Sequence, residues 1–322
     1  MLLATLAIIG GFVLLVWSAD KFVEGAASSA NYAGMPPLLI GMLVVGFGTS
    51  APEMVVSAMA AMDGNPALAL GNAVGSNIVN ITLILGVTAI IAPIYVHSSI
   101  IRKELPILFL VTLFIGAILW NHHISSAEAW MLIGGFMLLT GWSIWSALQS
   151  KGDHLEQEIN DELSTKSQTL RASILWLITG LVVLIISSRI LVWGAVEIAQ
   201  QLGVNDLLIG LTIVALGTSL PELAASIIAA RKGEHDIAVG NVVGSNMFNS
   251  LAVIGIAGAI EPMPNIGSEV FWRDWTSMLI VTGLLLLIAA RFGKSNNISR
   301  TEGTVLLMCY LGYNGYLIYG AL

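Results

Sequence analysis

Gly48-Thr49-Ser50-Ala51-Pro52-Glu53 returns later in the chain as Gly217-Thr218-Ser219-Leu220-Pro221-Glu222. Each copy is followed by a second string, Gly75-Ser76-Asn77-Ile78-Val79-Asn80 and then Gly244-Ser245-Asn246-Met247-Phe248-Asn249. The offset is the same for both, 217 − 48 = 169 and 244 − 75 = 169, so two separated strings keep one register. From Ser18 to Gly86 against Ser187 to Gly255, about 30 of roughly 70 positions are identical without a gap, which marks an internal duplication. Both copies set a carboxylate, hydroxyls and a helix-breaking proline inside apolar surroundings. In lipid such groups are costly, and they mark ion or substrate pathways.

The surroundings are apolar throughout. Of 322 residues 56% are hydrophobic and 10% charged, with a mean hydropathy of +0.86. A soluble domain carries about 25% charged residues, so this chain cannot cover a water-facing surface. Ten hydrophobic segments follow one another, at 2–30, 36–62, 68–92, 104–121, 126–148, 172–200, 206–230, 237–260, 275–291 and 302–321. Most approach the ~20 residues that a bilayer-spanning helix needs. Met1 to Trp17 has no basic flank and no small-residue cleavage site, so it reads as the first such helix and not as a removable signal. Cys309 is the single cysteine and excludes an intrachain disulfide. No basic tract suggests nucleic acid as a partner.

Lys151 to Arg171 is the one polar linker, carrying Asp153, Glu156, Glu158, Asp161 and Glu162. It divides the chain into 1–148, the linker 149–171, and 172–322, with five segments in each half. Ten of the Lys and Arg residues fall in the loops after segments three, five, seven and nine, and only Arg273 falls on the opposite side. By the positive-inside rule both termini lie outside and the linker is cytoplasmic. Five helices per half is odd, so the second half enters the membrane upside down. The expected fold is therefore all-α, an integral plasma-membrane protein of ten transmembrane helices in two inverted five-helix repeats. In such architectures substrates bind near the midplane, at broken helices.

The repeated strings explain how a helix would break. Pro52 has no N–H, so the carbonyl of Gly48 loses its helical partner. Thr49 and Ser50 can bond locally to backbone instead. Pro221 repeats this logic on Gly217, beside Thr218, Ser219 and Glu222. Unpaired carbonyls at membrane depth survive only in protein or at a wet cavity. Two carboxylates, four hydroxyls and several carbonyls make an oxygen-only ligand set, which suits calcium and, through the same oxygens, sodium. Cys/His sites for zinc or copper are absent. Ser76, Asn77 and Asn80, with Ser245, Asn246 and Asn249, add neutral oxygens, although Asn77 and Asn246 equally suit a helix–helix contact. Gly71, Gly75, Gly240 and Gly244 read as close helix contacts. Asp20, Lys21, Glu24, Arg189 and Glu197 read as structural or interfacial groups. His97, His122, His123, His154 and His235 read as surface groups in loops.

These strings resemble the two alpha-repeats of the cation/calcium exchanger superfamily, and the prokaryotic sodium/calcium exchanger branch in particular. The resemblance covers nearly the whole chain. It implies two long tilted helices, the first and sixth, sliding against the other eight, and electrogenic exchange of calcium for sodium by alternating access. Carried over by position, Glu53 and Glu222 would bind calcium with the carbonyls of Thr49 and Thr218. Sodium would share those glutamates and draw on Ser50, Ser219, Ser76 and Ser245 and on the carbonyls of Gly46 and Ala215. Asn80 and Asn249 depart from the many relatives that place an aspartate at one of these positions. That removes one formal negative charge from the site and makes potassium co-transport less expected.

The resulting expectation is a calcium-for-sodium antiporter in the lipid bilayer. It is not an enzyme, it needs no cofactor, and its partners are calcium and sodium ions with no obligate protein. A proton-coupled calcium antiporter is the alternative, and a gated cation channel ranks behind it. A hydrolase using the two glutamates ranks last, since no His, Cys or Lys accompanies them.

Overall fold

The computed structural model describes residues 1–96, 100–149, 169–202, 215–290 and 297–321. In chain order the helices are α1 (Leu2–Ala33), α2 (Pro37–Thr49), α3 (Ala51–Met62), α4 (Pro66–Ile91), α5 (Leu105–Leu119), α6 (Ser126–Gln149), α7 (Leu170–Gln201), α8 (Ala215–Thr218), α9 (Leu220–Arg231), α10 (His235–Ile260), α11 (Val270–Ala289) and α12 (Arg300–Ala321). Among the described residues six helices are long and apolar enough to cross a membrane, and seven if the bent pair α2 with α3 is counted as one span. α5 is a shorter apolar helix. The chain is a helical, multi-pass membrane protein. The linker 150–168 and the Leu207-Leu208-Ile209-Gly210 string lie outside the described residues.

Prolines set where helices begin. Pro37, Pro66, Pro52 and Pro221 all occupy the first two positions of their helices, where a missing N–H costs nothing. α3 and α9 end alike. Gly64 and Gly233 adopt positive φ (75° and 83°), and the next N–H reaches back to the Ala60 and Ala229 carbonyls at 2.8 and 2.9 Å. A glycine tolerates this left-handed turn, which is the usual helix C-cap. The two glycines are 233 − 64 = 169 residues apart. Likewise α6 and α12 each open with a Ser-x-x-Glu capping box, Ser125–Glu128 and Ser299–Glu302.

The chain forms two compact units, Met1–Thr49 with Leu138–Asn241 and Ser50–Met137 with Val242–Leu322. Each draws on both halves of the sequence.

In the first unit the long helices α1 and α7, 32 residues each, pack lengthwise. At about 1.5 Å per residue each is about 48 Å long, more than the roughly 30 Å hydrocarbon layer. Their contact depends on small residues. A Cβ on Gly180 would come within 2.6 Å of the Phe22 amide nitrogen, and one on Gly194 within 2.7 Å of the Ala4 carbonyl. Trp17 meets Trp176 edge-on at 6.2 Å. Of the charges that the sequence leaves as structural, Lys21 pairs with Glu24 at 2.7 Å and Asp20 with Lys232 at 2.8 Å. The rest of α1 and α7 presents exposed Leu, Ile, Val and Phe, a surface suited to acyl chains.

In the second unit α4 and the later part of α10 are the most buried elements. Two small β contacts, not expected for an all-α chain, tie loops together. β1 (Ile94–Tyr95) pairs antiparallel with β2 (Asn297–Ile298), Ile94 opposite Ile298, and Ile124 bridges Met263. Their buried Ile side chains anchor loop ends whose backbone groups would otherwise lack partners. His235 begins α10 instead of lying in a loop.

The helix contact gives a direct check. Gly180→Ala forces α1 and α7 apart and should cost about 1–3 kcal/mol, read as a lower thermal midpoint of the purified protein in detergent. Gly10→Ala, where nothing lies within 4 Å, should leave the midpoint unchanged. Equal midpoints for the two variants would contradict this packing.

Candidate cation site

The helix breaks where the repeated prolines require. At Ser50 the backbone leaves helical geometry (φ −83°, ψ 1°), and α3 departs from α2 at 46°. Ser219 takes almost the same conformation (φ −92°, ψ 4°) between α8 and α9. The helix restarts at once in both places, with the Met54 N–H bonded to the Ser50 carbonyl and the Leu223 N–H to the Ser219 carbonyl. Glu53 and Glu222 therefore fall in the first turn of a new helix. The positive end of a helix dipole favours a carboxylate there, by about 0.3–1 kcal/mol at exposed sites and more where partly buried. Both side chains are buried, each at 1% exposure.

The first unit holds Gly46, Thr49, Ala215, Thr218, Ser219 and Glu222 from the expected ligand set, and the second holds Ser50, Glu53, Ser76, Asn80, Ser245 and Asn249. Each unit thus carries one carboxylate. Gly46, Thr49, Ser50, Ser76, Asn80, Ser219, Ser245 and Asn249 are buried and Thr218 is half-buried. Ala215 is the first residue of α8. Among the described residues no three His, Cys, Asp or Glu side chains converge.

Three stretches flanking the expected ligands are π-helical: Gly41–Gly46 before Thr49, Asn80–Ile84, and Phe248–Val253 around Asn249. A π turn shifts carbonyls out of the i→i+4 ladder and recurs at functional sites. The sequence offers no signal for these turns.

Around the second strings, in the second unit, a buried amide network forms. Asn80 Nδ2 donates to Asn246 Oδ1 at 2.9 Å, Asn246 Nδ2 to the Asn77 carbonyl at 3.3 Å, and Asn77 Nδ2 to Ser250 Oγ at 2.8 Å. The Oδ1 atoms of Asn77, Asn80 and Asn249, and the Ser219 hydroxyl in the first unit, are buried without a hydrogen-bond partner among the described residues. Buried polar atoms are nearly always paired, and unpaired carbonyl oxygens are the donor type a hard cation accepts.

One freed carbonyl is not available. Pro221 releases the Gly217 carbonyl, and the Ser188 hydroxyl of α7 donates to it at 2.9 Å. The position equivalent to Ser188 is 188 − 169 = 19, an alanine, which offers no hydroxyl to Gly48. The two breaks share a backbone cause but not a full set of partners.

Two further residues had not been singled out in the sequence. Asn241 Nδ2 donates to the Glu222 carbonyl at 3.1 Å and to Ser226 Oγ at 2.8 Å. Asn72 Nδ2 donates to the Glu53 carbonyl at 3.5 Å and to Ser57 Oγ at 3.0 Å. The usable signal was the repeat register, since Asn72 and Asn241, and Ser57 and Ser226, are each 169 apart.

The chain matches the family described as sodium/calcium exchanger protein over residues 3–145 and 172–319. It is 46% identical over 322 residues to CaxA of Alkalimonas amylolytica, with 100% of both chains covered. It is 39% identical over 308 residues to the inner membrane protein YrbG of Escherichia coli K12, covering 95% of this chain and 94% of that one. A solved structure of the sodium-calcium exchanger NCX_Mj, soaked with zero Na+ and Ca2+, superposes with a TM-score of 0.83 at 29% identity, covering 98% of this chain and 99% of that chain. With two duplicated, proline-broken helices each setting a buried glutamate at its restart, and with these matches along nearly its full length, the chain belongs to the sodium/calcium exchanger protein family.

Proposed function

We propose that this chain is a secondary antiporter that exchanges calcium for sodium across the membrane by alternating access. The observation that carries the reading is the duplicated break, which sets a 1%-exposed glutamate in the first turn of α3 and again of α9. A buried carboxylate is costly without a compensating charge, and both glutamates are buried in the first turn of a helix. A transported cation supplies that charge.

Glu53 and Glu222 bind calcium together with the carbonyls of Thr49 and Thr218. Sodium uses the same glutamates with Ser50, Ser219, Ser76, Ser245 and the carbonyls of Gly46 and Ala215. Asn80 and Asn249 contribute neutral oxygens. Because both ions need one set of oxygens, one leaves before the other binds, and that competition is what makes an exchanger. The orphaned Asn80 and Asn249 oxygens support this ligand set. The ions are substrates, and exchange requires no chemical cofactor.

The surrounding architecture is read the same way: ten transmembrane helices, with residues 1–148 and 172–322 as inverted halves, both termini outside and 149–171 cytoplasmic. The distribution of Lys and Arg supports it. Amides do not titrate, so Asn80 and Asn249 offer a proton no place at the site. Proton coupling would fall on the glutamates alone.

Two measurements test this reading. In proteoliposomes loaded with sodium, calcium uptake should be driven by the outward sodium gradient. Glu53→Ala and Glu222→Ala should each reduce it on the order of a hundredfold or more, since ligand charge sets calcium affinity; uptake near the native rate in either variant removes that residue from the site. With sodium absent and a pH gradient imposed, uptake should stay at background, and uptake driven by pH alone would make this a proton-coupled exchanger.

A further inference from the structure

Asn241 is fully buried and uses its whole side chain. Its amide nitrogen donates to the Glu222 carbonyl and to Ser226 Oγ, two groups one turn apart on α9. Its Oδ1 accepts from Thr49 Oγ1 at 3.1 Å. Thr49 ends α2, the helix broken by the first copy of the motif, whereas Glu222 begins the helix restarted after the second copy. One amide therefore links a segment from each half of the chain. The reach depends on close backbone packing just upstream. A Cβ on Gly240 would come within 2.7 Å of the Leu38 carbonyl, and one on Gly41 within 2.8 Å of the Ile237 carbonyl.

The Thr49 hydroxyl has a single proton and three acceptors within reach: the Val45 carbonyl at 3.0 Å, the Gly46 carbonyl at 3.4 Å and Asn241 Oδ1. A cation drawing on the backbone oxygens at the end of α2 competes with that proton for their lone pairs. The proton then goes to Asn241, whose nitrogen grips the Glu222 turn. Asn72, 169 residues earlier, grips the Glu53 turn through the same two kinds of acceptor but at longer distances, 3.5 and 3.0 Å against 3.1 and 2.8 Å, and from a half-buried position.

We propose that Asn241 is a positioning residue that couples the two broken helices, so that ion binding at the Thr49 end of α2 tightens the turn carrying Glu222. Asn72 holds the Glu53 turn alone and more weakly. The inference rests on the reading that Thr49, Gly46 and Glu222 serve the transported cations. A bland alternative is that Asn241 only glues helices together, and its mutants would then lose protein yield or turnover without changing how the ions bind.

The test uses the full chain in proteoliposomes, with calcium as the probe and sodium as the driving ion. Asn241→Leu keeps the side-chain volume and removes all three hydrogen bonds. It should raise the half-saturating calcium concentration about tenfold or more and flatten the sodium dependence. Asn72→Leu should raise it only about threefold, as fits the loss of its weaker bonds. Turnover falling while half-saturation stays within about twofold, or an equal effect of both leucines, overturns the proposal. Should Asn241→Leu fail to fold, a cycle between Thr49→Val and Ser226→Ala, each touching Asn241 from one side, decides the matter. Their effects on half-saturation should combine non-additively by about threefold or more, and additivity within about twofold overturns the coupling. Failure here is distinct from failure of the exchanger reading: Glu222→Ala abolishing exchange with Asn241 variants unaffected removes the coupling only, whereas exchange surviving in Glu222→Ala removes both.

Discussion

A missing N–H is the constraint on which the rest depends. Pro52 and Pro221 cannot donate to the carbonyl four residues back, and inside a membrane no bulk water compensates. The chain responds identically in both places. One serine, Ser50 or Ser219, swings out of helical geometry, and a new helix begins with the proline in its first turn, where the missing donor is harmless. The glutamate next to the proline is thereby set at the positive end of a helix. Neither carboxylate's position was free to vary once the proline was there, and a continuous helix would not have offered it the positive end of a helix.

Burial gives that geometry its consequence. An isolated carboxylate moved into a low-dielectric interior is penalised by several kcal/mol even after relaxation. A helix dipole recovers a fraction of this. In the proposed exchanger a mobile cation would offset part of the rest, and the site's occupant would be replaceable. In that proposal neutral amides and hydroxyls complete the coordination without fixing the charge, so that a divalent ion and monovalent ions could both be accommodated. Asn80 and Asn249, as amides, would add no formal charge to the site.

Much of this was legible in the sequence, for reasons that are local. The break follows from proline chemistry at two positions, and the 169-residue register tells which residues share a role. Where both are described, helix boundaries from hydropathy fall within about five residues of the observed ones. What stayed illegible depends on partners distant in sequence. No pattern announces that Ser188 closes off the Gly217 carbonyl, because its repeat-mate is Ala19. π-helical turns carry no residue signature. Asn72 and Asn241 lie within the repeat, yet an asparagine in a membrane helix reads first as glue, and only the contacts to Glu53, Glu222 and Thr49 single them out. The short ribbon of Ile94 and Ile298 pairs residues too few to register as strands.

The central claim, that one set of buried oxygens serves two competing ions through Glu53 and Glu222, is tested most directly by equilibrium calcium binding to the purified protein during a sodium titration. The account predicts that sodium displaces calcium completely from the native protein, and that Glu53→Gln and Glu222→Gln each lose the displaceable binding. Calcium binding that is indifferent to sodium, or that persists in either glutamine variant, would contradict it.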